Sequence, residues 1–323
     1  MKVLVRVVVV LLAVTGTAAL IAQAPAGKDL VWAYPVGSAI VAGKHPIAEV
    51  EGPQQLPGST RKYTQQELDN LAAPPDWFPE SHAPMPTIVQ SGKGNGGFAC
   101  GSCHLANGMG HPESGDVQGL TADYFIQTMR DYKSGVRKDP IRMTAIAQAT
   151  SDQDVREAAA WFASLKPVPR WSIVEERAMV PKTFLGQGRM RFIDIDMPGM
   201  EPIGNRIITV PEDVRKAIMR DPRTGAGFIS YVPPGSLARG KALAAGGNGK
   251  TIDCTICHGE GLRGLGDVPR LANVHPIYLV RQLYNIQTGA NNSAGAQLMK
   301  RVVAKLTDED IVALSAYAGS LPR

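Results

Sequence analysis

The sequence has no long run of charges of one sign, few aromatic residues and only four cysteines. Its 34 basic and 29 acidic residues give a formal charge of +5 without clustering, which argues against a nucleic-acid partner. Aromatic residues make up 6% of the chain, whereas apolar residues together reach 44%, a normal share for a globular protein with a buried core. The length of 323 residues is sufficient for two or three domains.

All four cysteines belong to two copies of one five-residue pattern, Cys-x-x-Cys-His. The two copies consist of Cys100, Cys103 and His104, and of Cys254, Cys257 and His258. This pattern is the attachment motif of c-type haem. The two thiols add across the porphyrin vinyl groups, and the histidine supplies the proximal imidazole to iron, because one helical turn brings all three groups to one side. The sequence therefore predicts two covalently bound haem c groups, which also occupy core volume that aromatic rings would otherwise fill.

Other uses of a Cys-x-x-Cys pair remain open at this point. Two pairs can form a four-thiolate zinc site, but such a site has no use for a histidine after each pair. A dithiol redox centre requires a βαβ context, which the sequence does not show. Two structural disulfides are a third alternative, although each would close a very short loop.

The N-terminus has the pattern of an export signal. Lys2 and Arg6 precede an apolar run over 7–22, and a small-residue cleavage site ends at Ala26. We expect residues 1–26 to be a signal peptide; the alternative is an uncleaved anchor that associates the protein with a membrane. Both alternatives place the folded part outside the cytoplasm, in the periplasm.

The two motifs lie in an internal repeat with an offset of 154 residues. His104 superimposes on His258, Tyr124 on Tyr278, and Gly135 on Gly289. After a two-residue insertion the offset becomes 156, and the match continues to the end of the chain. The repeat indicates a duplicated domain of about 80–90 residues, the size of a small single-core domain.

The predicted fold is mainly α, with two tandem haem domains and irregular N-terminal and inter-domain segments. Thr64, Thr121, Ser151 and Thr307 are expected to cap helices. The expected divisions are a signal peptide or anchor at 1–26, a Pro/Gly-rich extension at 27–85, a first haem domain at 86–168, a linker or insert at 169–235, and a second haem domain at 236–323. Two strand-like runs in the insert, 190–195 and 205–210, predict a small hairpin. The segments outside the repeat serve either as packing structure or as a docking surface for a partner enzyme.

The sixth iron ligand is predicted from the repeat. Methionine is the usual distal partner of histidine in electron carriers. Met143 and Met299 follow their motif histidines by 39 and 41 residues, and the difference equals the two-residue insertion. Met109 lies too near its motif to cross to the other haem face, and Met129 fits a helix core. We therefore predict Met143 and Met299 as axial ligands.

At this point the sequence resembles the class I cytochromes c, in particular the tandem di-haem periplasmic type. The resemblance rests on the two haem motifs, the run Gly-Asp-Val-Pro-Arg-Leu-Ala at 266–272, the run at 278–283, the two methionines and the C-terminal helix. It implies that the Pro269 carbonyl accepts a hydrogen bond from the proximal imidazole and that Arg137 pairs with a haem propionate. The first domain has Gly115 at the proline position, so the carbonyl of either Gly115 or Pro112 is expected to act there. These differences predict two unequal potentials.

The expected function is electron transfer and not catalysis, with redox proteins as donor and acceptor, among them a dehydrogenase or a terminal oxidase. Two other functions remain open. A cytochrome subunit of a dehydrogenase or respiratory complex would use the same chemistry. A di-haem peroxidase would also carry two motifs, but it needs an accessible iron and a catalytic acid or base beside it.

Overall fold

The computed structural model describes residues 30–34, 44–48, 50–92 and 97–323, so the predicted signal peptide lies outside the described residues. The α-helices of this part are α1 Gln65–Leu68, α2 Thr87–Gln90, α3 Cys100–His104, α4 Ala122–Ser134, α5 Met143–Ala149, α6 Asp152–Ala163, α7 Val214–Ile218, α8 Ser236–Ala244, α9 Thr255–His258, α10 Pro276–Thr288, α11 Ala294–Val303 and α12 Asp308–Ser320. The strands are β1 Ser172–Glu176, β2 Met179–Pro181, β3 Thr183–Leu185, β4 Arg191–Ile193, β5 Met200–Pro202, β6 Ile208–Pro211 and β7 Phe228–Val232. Short 3-10 helices occupy Val31–Ala33, Pro79–Ser81, Gln187–Arg189, Gly247–Gly249 and Glu260–Leu262. None of the described helices is long and apolar enough to cross a membrane.

The first helical unit consists of α2 to α6. Thr121 caps α4 by accepting a hydrogen bond from the Tyr124 amide, and Ser151 caps α6 through the Asp154 amide. Residues from five segments share one buried cluster: Ile88, Val89, Val117, Phe125, Met129, Tyr132, Ala147, Val155, Ala158, Ala159, Trp161 and Phe162. The predicted helices and both caps are confirmed. Met143 is the first residue of α5.

The second helical unit is built from α8 to α12. Thr307 and Asp310 form a reciprocal capping box at the start of α12, as the sequence predicts. Helix α8 crosses α12 so closely that a Cβ at Gly240 would collide with the Ala313 carbonyl and lie 2.6 Å from the Tyr317 Cβ. The glycine is therefore required by the helix contact, because any side chain would push the two helices apart.

The insert between the units is a small β-structure. Strand β7 lies in the middle of a three-stranded sheet, parallel to β1 and antiparallel to β6. Two further antiparallel pairs join β2 to β5 and β3 to β4. The insert packs against the first unit, because Leu105 and Met109 share a buried cluster with Trp171, Phe192 and Phe228.

The sequence predicts that the two strand-like runs of the insert pair with each other as a hairpin, and this prediction is wrong. Strands are present in both predicted runs, but β4 pairs with β3 and β6 pairs with β7. Each run has the alternating apolar pattern of a strand, and that pattern does not specify the partner. The partners are instead fixed by contacts with Phe184 and Phe228, which lie outside the two runs.

The two helical units meet through equivalent segments of the repeat. Residues 136–138 run antiparallel to 290–292, which are the same positions shifted by 154. The Lys138 amide donates to the Ala290 carbonyl at 2.9 Å, and the Asn292 amide donates to the Val136 carbonyl at 2.9 Å. Arg137 and Asn291 form the bridge between these two bonds. The contact is thus self-complementary, as expected when two copies of a domain meet around a local two-fold axis.

Candidate haem-binding sites

The first motif occupies α3, a helix of little more than one turn that begins at Cys100. Cys100, Cys103 and His104 line one cavity with Met143, and the cavity wall is completed by Phe125, Met129 and other apolar residues. The structure therefore brings together the four side chains that the sequence predicted for this site. Met129 lies in the same wall, so proximity to the cavity does not by itself select Met143 as the ligand.

The His104 imidazole is held in one tautomer by the backbone. Its Nδ1 lies 2.7 Å from the Gly115 carbonyl oxygen, to which it donates. Burial lowers the pKa of His104, and the carbonyl contact opposes that shift only in part. The ring is therefore neutral near pH 7, with a proton on Nδ1 and a free lone pair on Nε2. A neutral imidazole oriented by a carbonyl is the form that binds iron.

The second motif has the same arrangement at the equivalent positions. Cys254 is the N-cap residue of α9, which ends at His258. The Nδ1 of His258 lies 2.8 Å from the Pro269 carbonyl oxygen, and burial again lowers the pKa of the imidazole. Met299 lies on α11, and both Met299 and Cys254 pack against the main core of the second unit. Cys257 is exposed.

The four cysteines are free thiols in the structure. Burial raises the pKa of Cys100 to about 12 and that of Cys254 to about 11, so both stay protonated at neutral pH. Within the described residues, no group of three or more His, Cys, Asp or Glu side chains is arranged to hold a metal ion. The raised thiol pKa values do not favour a reactive dithiol at either pair.

A polar wall borders the first site on the side facing the second unit. Arg137 lines this wall with Tyr132, Arg142 and residues of α10. Its Nη2 donates to Gln282 Oε1 at 2.7 Å, but its Nε is buried without a partner. An anionic oxygen is a strong acceptor for a buried guanidinium N–H. A haem propionate has the required charge, so the residues present fit the group that the motifs predict.

Three of the remaining histidines, His82, His111 and His275, line neither cavity at the first motif. His111 and His275 are buried, and both contact the ring of Phe228. His82 pairs with Asp76 at 3.2 Å. Met109 is fully buried beside Arg323 and lines neither cavity at the first motif.

The sequence analysis missed the contacts that α10 makes with the first site. Tyr278 packs over Gly115, and its hydroxyl accepts a hydrogen bond from Arg137 at 3.3 Å. Asp116 and Arg270, which follow the two carbonyl-bearing residues, form an ion pair between the units. The repeat places Asp116 and Arg270 at equivalent positions, and this equivalence could have indicated the pair.

Residues 237–322 match the family model for cytochrome c. Cytochrome c4 of Pseudomonas aeruginosa is 25% identical over 231 residues, which cover 69% of this chain and 83% of that protein. The thiosulfate dehydrogenase electron acceptor of Stutzerimonas stutzeri is 24% identical over 232 residues, covering 71% of this chain and 82% of that protein.

A shorter relative is more similar over a single domain. Cytochrome c-554(548) of Halomonas halodenitrificans is 33% identical over 78 residues, which cover 24% of this chain and 94% of that protein. The matches agree with the helical fold and with covalently bound haem c. The chain belongs to the class I cytochromes c, in the tandem di-haem type, and is an electron carrier and not an enzyme.

Proposed function

We propose that this chain carries two haem c groups and passes single electrons between redox proteins. The main support for this proposal is a hydrogen bond that both units share. His104 and His258 each donate through Nδ1 to a carbonyl at the same position of the repeat. Each ring therefore presents Nε2 to an iron. When bound, the haem supplies the one-electron redox change, and the protein sets its potential and its accessibility.

The proposed attachment uses Cys100 and Cys103 in the first unit, and Cys254 and Cys257 in the second. Met143 and Met299 are proposed as the sixth ligands, since a thioether favours reduced iron and suits an electron carrier. The shared cavity of Met143 with His104 supports the first assignment. The second is supported by the equivalent position of Met299 in the repeat.

Three groups, two backbone carbonyls and one side chain, are proposed to support the haems from outside the ligand set. The Pro269 carbonyl orients His258, and the Gly115 carbonyl has that role for His104. Arg137 is proposed as a partner of a propionate, because its buried Nε lacks an acceptor in the protein. The proposed haem domains are 86–168 and 236–323, with the signal peptide or anchor at 1–26, the extension at 27–85 and the insert at 169–235.

The proposed location is the periplasm, after export directed by residues 1–26. Cleavage after Ala26 would release the protein, whereas retention would anchor it to the membrane. The proposed electron donor is a dehydrogenase, and support for this class comes from the relative described as a thiosulfate dehydrogenase electron acceptor. The second candidate function is that of a stable subunit of such an enzyme. It is favoured by the insert, because a minimal two-haem carrier does not require this segment.

A reductive titration of the purified protein tests the proposal. Anaerobic addition of dithionite should reduce the protein by two electrons per chain, in two one-electron steps with separate midpoints. Reoxidation should reverse both steps. Uptake of one electron per chain, or a spectrum without covalent haem, would refute the two-haem carrier.

A further inference from the structure

One side chain, that of Asp139, organises the turn between α4 and α5. Its Oδ1 accepts hydrogen bonds from three successive amides, those of Ile141 at 3.1 Å, Arg142 at 2.6 Å and Met143 at 2.9 Å. The Asp139 amide in turn donates to Thr144 Oγ1 at 2.9 Å. Every one of these bonds involves Asp139, so this residue fixes the path of the turn.

Asp139 also anchors the end of α5 that carries Met143. Met143 is the first residue of this helix, and its amide therefore has no acceptor within the helix. The side chain of the N-cap residue, Arg142, provides no cap, so the Asp139 oxygen takes that part. The other half of α5 is held by Ala147, which is buried in the core of the first unit. Without Asp139, the first turn of the helix would lose its side-chain anchor.

A second contact ties the same turn to the first haem motif. The Cζ of Arg142 lies 4.8 Å from the centroid of the Phe98 ring. Phe98 comes two residues before Cys100 and lines the cavity that Cys100, His104 and Met143 share. The turn is therefore fixed relative to the proximal histidine as well as to its own helix.

The second unit holds its methionine in a different way. The residue 154 positions after Asp139 is Ser293, whose side chain caps α11 by accepting from the Ala296 amide at 3.3 Å. Because α11 begins at Ala294, Met299 is its sixth residue and has helix backbone on both sides. Dependence of the methionine on a side-chain anchor is thus specific to the first unit.

We propose that Asp139 is a positioning residue that holds the Met143 sulfur in place as the sixth ligand of the first haem iron. The inference rests on the proposed function, since it requires haem at the first motif and Met143 as its ligand. Asp139 is not itself a ligand and acts through the backbone of Met143. A sulfur carried on a preformed turn loses little conformational freedom when it binds, so an external ligand competes with it poorly.

Competition with imidazole measures how firmly the sulfur is held. In the oxidised protein an imidazole nitrogen bonds to the iron as the iron–sulfur bond breaks, without a change of oxidation state, and the weak red-end absorption band of methionine-ligated iron is lost. Asp139→Ala should raise the imidazole affinity of the first site about tenfold, the effect of losing one helix cap. The second site should be unchanged, so roughly half of the band should disappear at lower imidazole concentrations than in the unaltered protein.

Two variants separate the hydrogen bonds from other effects of the substitution. Asp139→Asn keeps the Oδ1 acceptor and removes the charge, so its imidazole affinity should stay close to that of the unaltered protein. Asp213→Ala is the matched control, because Asp213 caps α7 in the insert through the Lys216 amide at 3.0 Å and lines neither cavity at the first motif. It should leave the titration unchanged.

A milder variant decides the matter if Asp139→Ala is too unstable to titrate. Thr144→Val removes only the acceptor of the Asp139 amide and conserves the shape of the side chain. It should raise the imidazole affinity of the first site by about threefold, the effect of losing one hydrogen bond.

A double variant tests whether Asp139 acts through Met143. In Met143→Ala no sulfur competes at the first site, so adding Asp139→Ala should not raise the imidazole affinity further. An equal increase with and without Met143, or an Asp139→Asn variant that behaves like Asp139→Ala, would overturn the positioning role of Asp139 alone. A Met143→Ala variant that keeps the whole band would overturn the ligand assignment in the proposed function, and the inference with it.

Discussion

At the scale of single residues, each proximal histidine is oriented by the backbone and not by another side chain. Each imidazole is positioned by one backbone carbonyl, 2.7 Å away for His104 and 2.8 Å for His258. The acceptor residue is glycine in one unit and proline in the other. A carbonyl is available from any residue type, so the hydrogen bond survives a substitution that changes the side chain completely.

The methionine ligand of the first site can be tested at the level of one side chain. Met143→Ala should abolish the weak red-end absorption band of methionine-ligated iron at the first site. Because two sites contribute to this band, its total amplitude should fall by roughly half. Met129→Leu is the matched control, because Met129 lines the same cavity and leucine conserves its volume. Absorption spectra of the oxidised variants measure both. Loss of the band in Met129→Leu, with the band retained in Met143→Ala, would transfer the ligand role to Met129.

The sequence indicated the attachment motifs because their spacing is imposed by chemistry, and it predicted the methionine pair from the equivalent positions in the repeat. It could not choose between the Gly115 and Pro112 carbonyls for His104, since that choice depends on the path of the haem loop. The structure places Gly115 beside the ring. Pro112 instead accepts a hydrogen bond from Arg281 at 3.0 Å.

At the scale of elements, helices were more predictable than strands. The helices that start after Thr121, Ser151 and Thr307 are marked by local capping residues, so the information lies within one turn. Strand pairing in the insert depends on segments farther along the chain. β6 pairs with β7, which begins at Phe228, and no local feature of β6 specifies that partner.

The contact between α8 and α12 gives a test at this scale. Gly240→Ala places a methyl group against the Ala313 carbonyl and should destabilise the second unit by about 1–3 kcal/mol. Gly295→Ala is the control, since a Cβ there has nothing within 4 Å and should stabilise α11 by roughly 0.5–1 kcal/mol. Denaturant unfolding curves measure both changes. Equal stability of the two variants would show that the helices do not meet as closely as described.

For the whole molecule, the two duplicated units pack against each other through equivalent positions of the repeat. Equivalent segments meet at 136–138 and 290–292, and Asp116 meets Arg270 at equivalent positions nearby. The repeat is visible in the sequence, but the way its copies face each other is not. That orientation depends on packing between units, such as Tyr278 over Gly115, which no local pattern encodes.

The insert and the extension pack against each other and against the first haem motif. The indole Nε1 of Trp77, in the extension, donates to the Met219 carbonyl of the insert at 2.6 Å. Arg220, the next residue, donates to the Leu68 carbonyl at 2.9 Å and contacts the Ser102 carbonyl within the first motif. These segments therefore pack against the helix that carries the first pair of cysteines.

The central claim is that one chain holds two thioether-linked haems, and intact-mass spectrometry tests it most directly. The denatured protein, purified from a host that attaches haem c, should have the polypeptide mass plus two haem groups. Cys254→Ala with Cys257→Ala should retain one covalent haem, and the same change at Cys100 and Cys103 should retain the other. A native chain with the mass of the polypeptide alone, or with a single haem at saturating supply, would contradict the account.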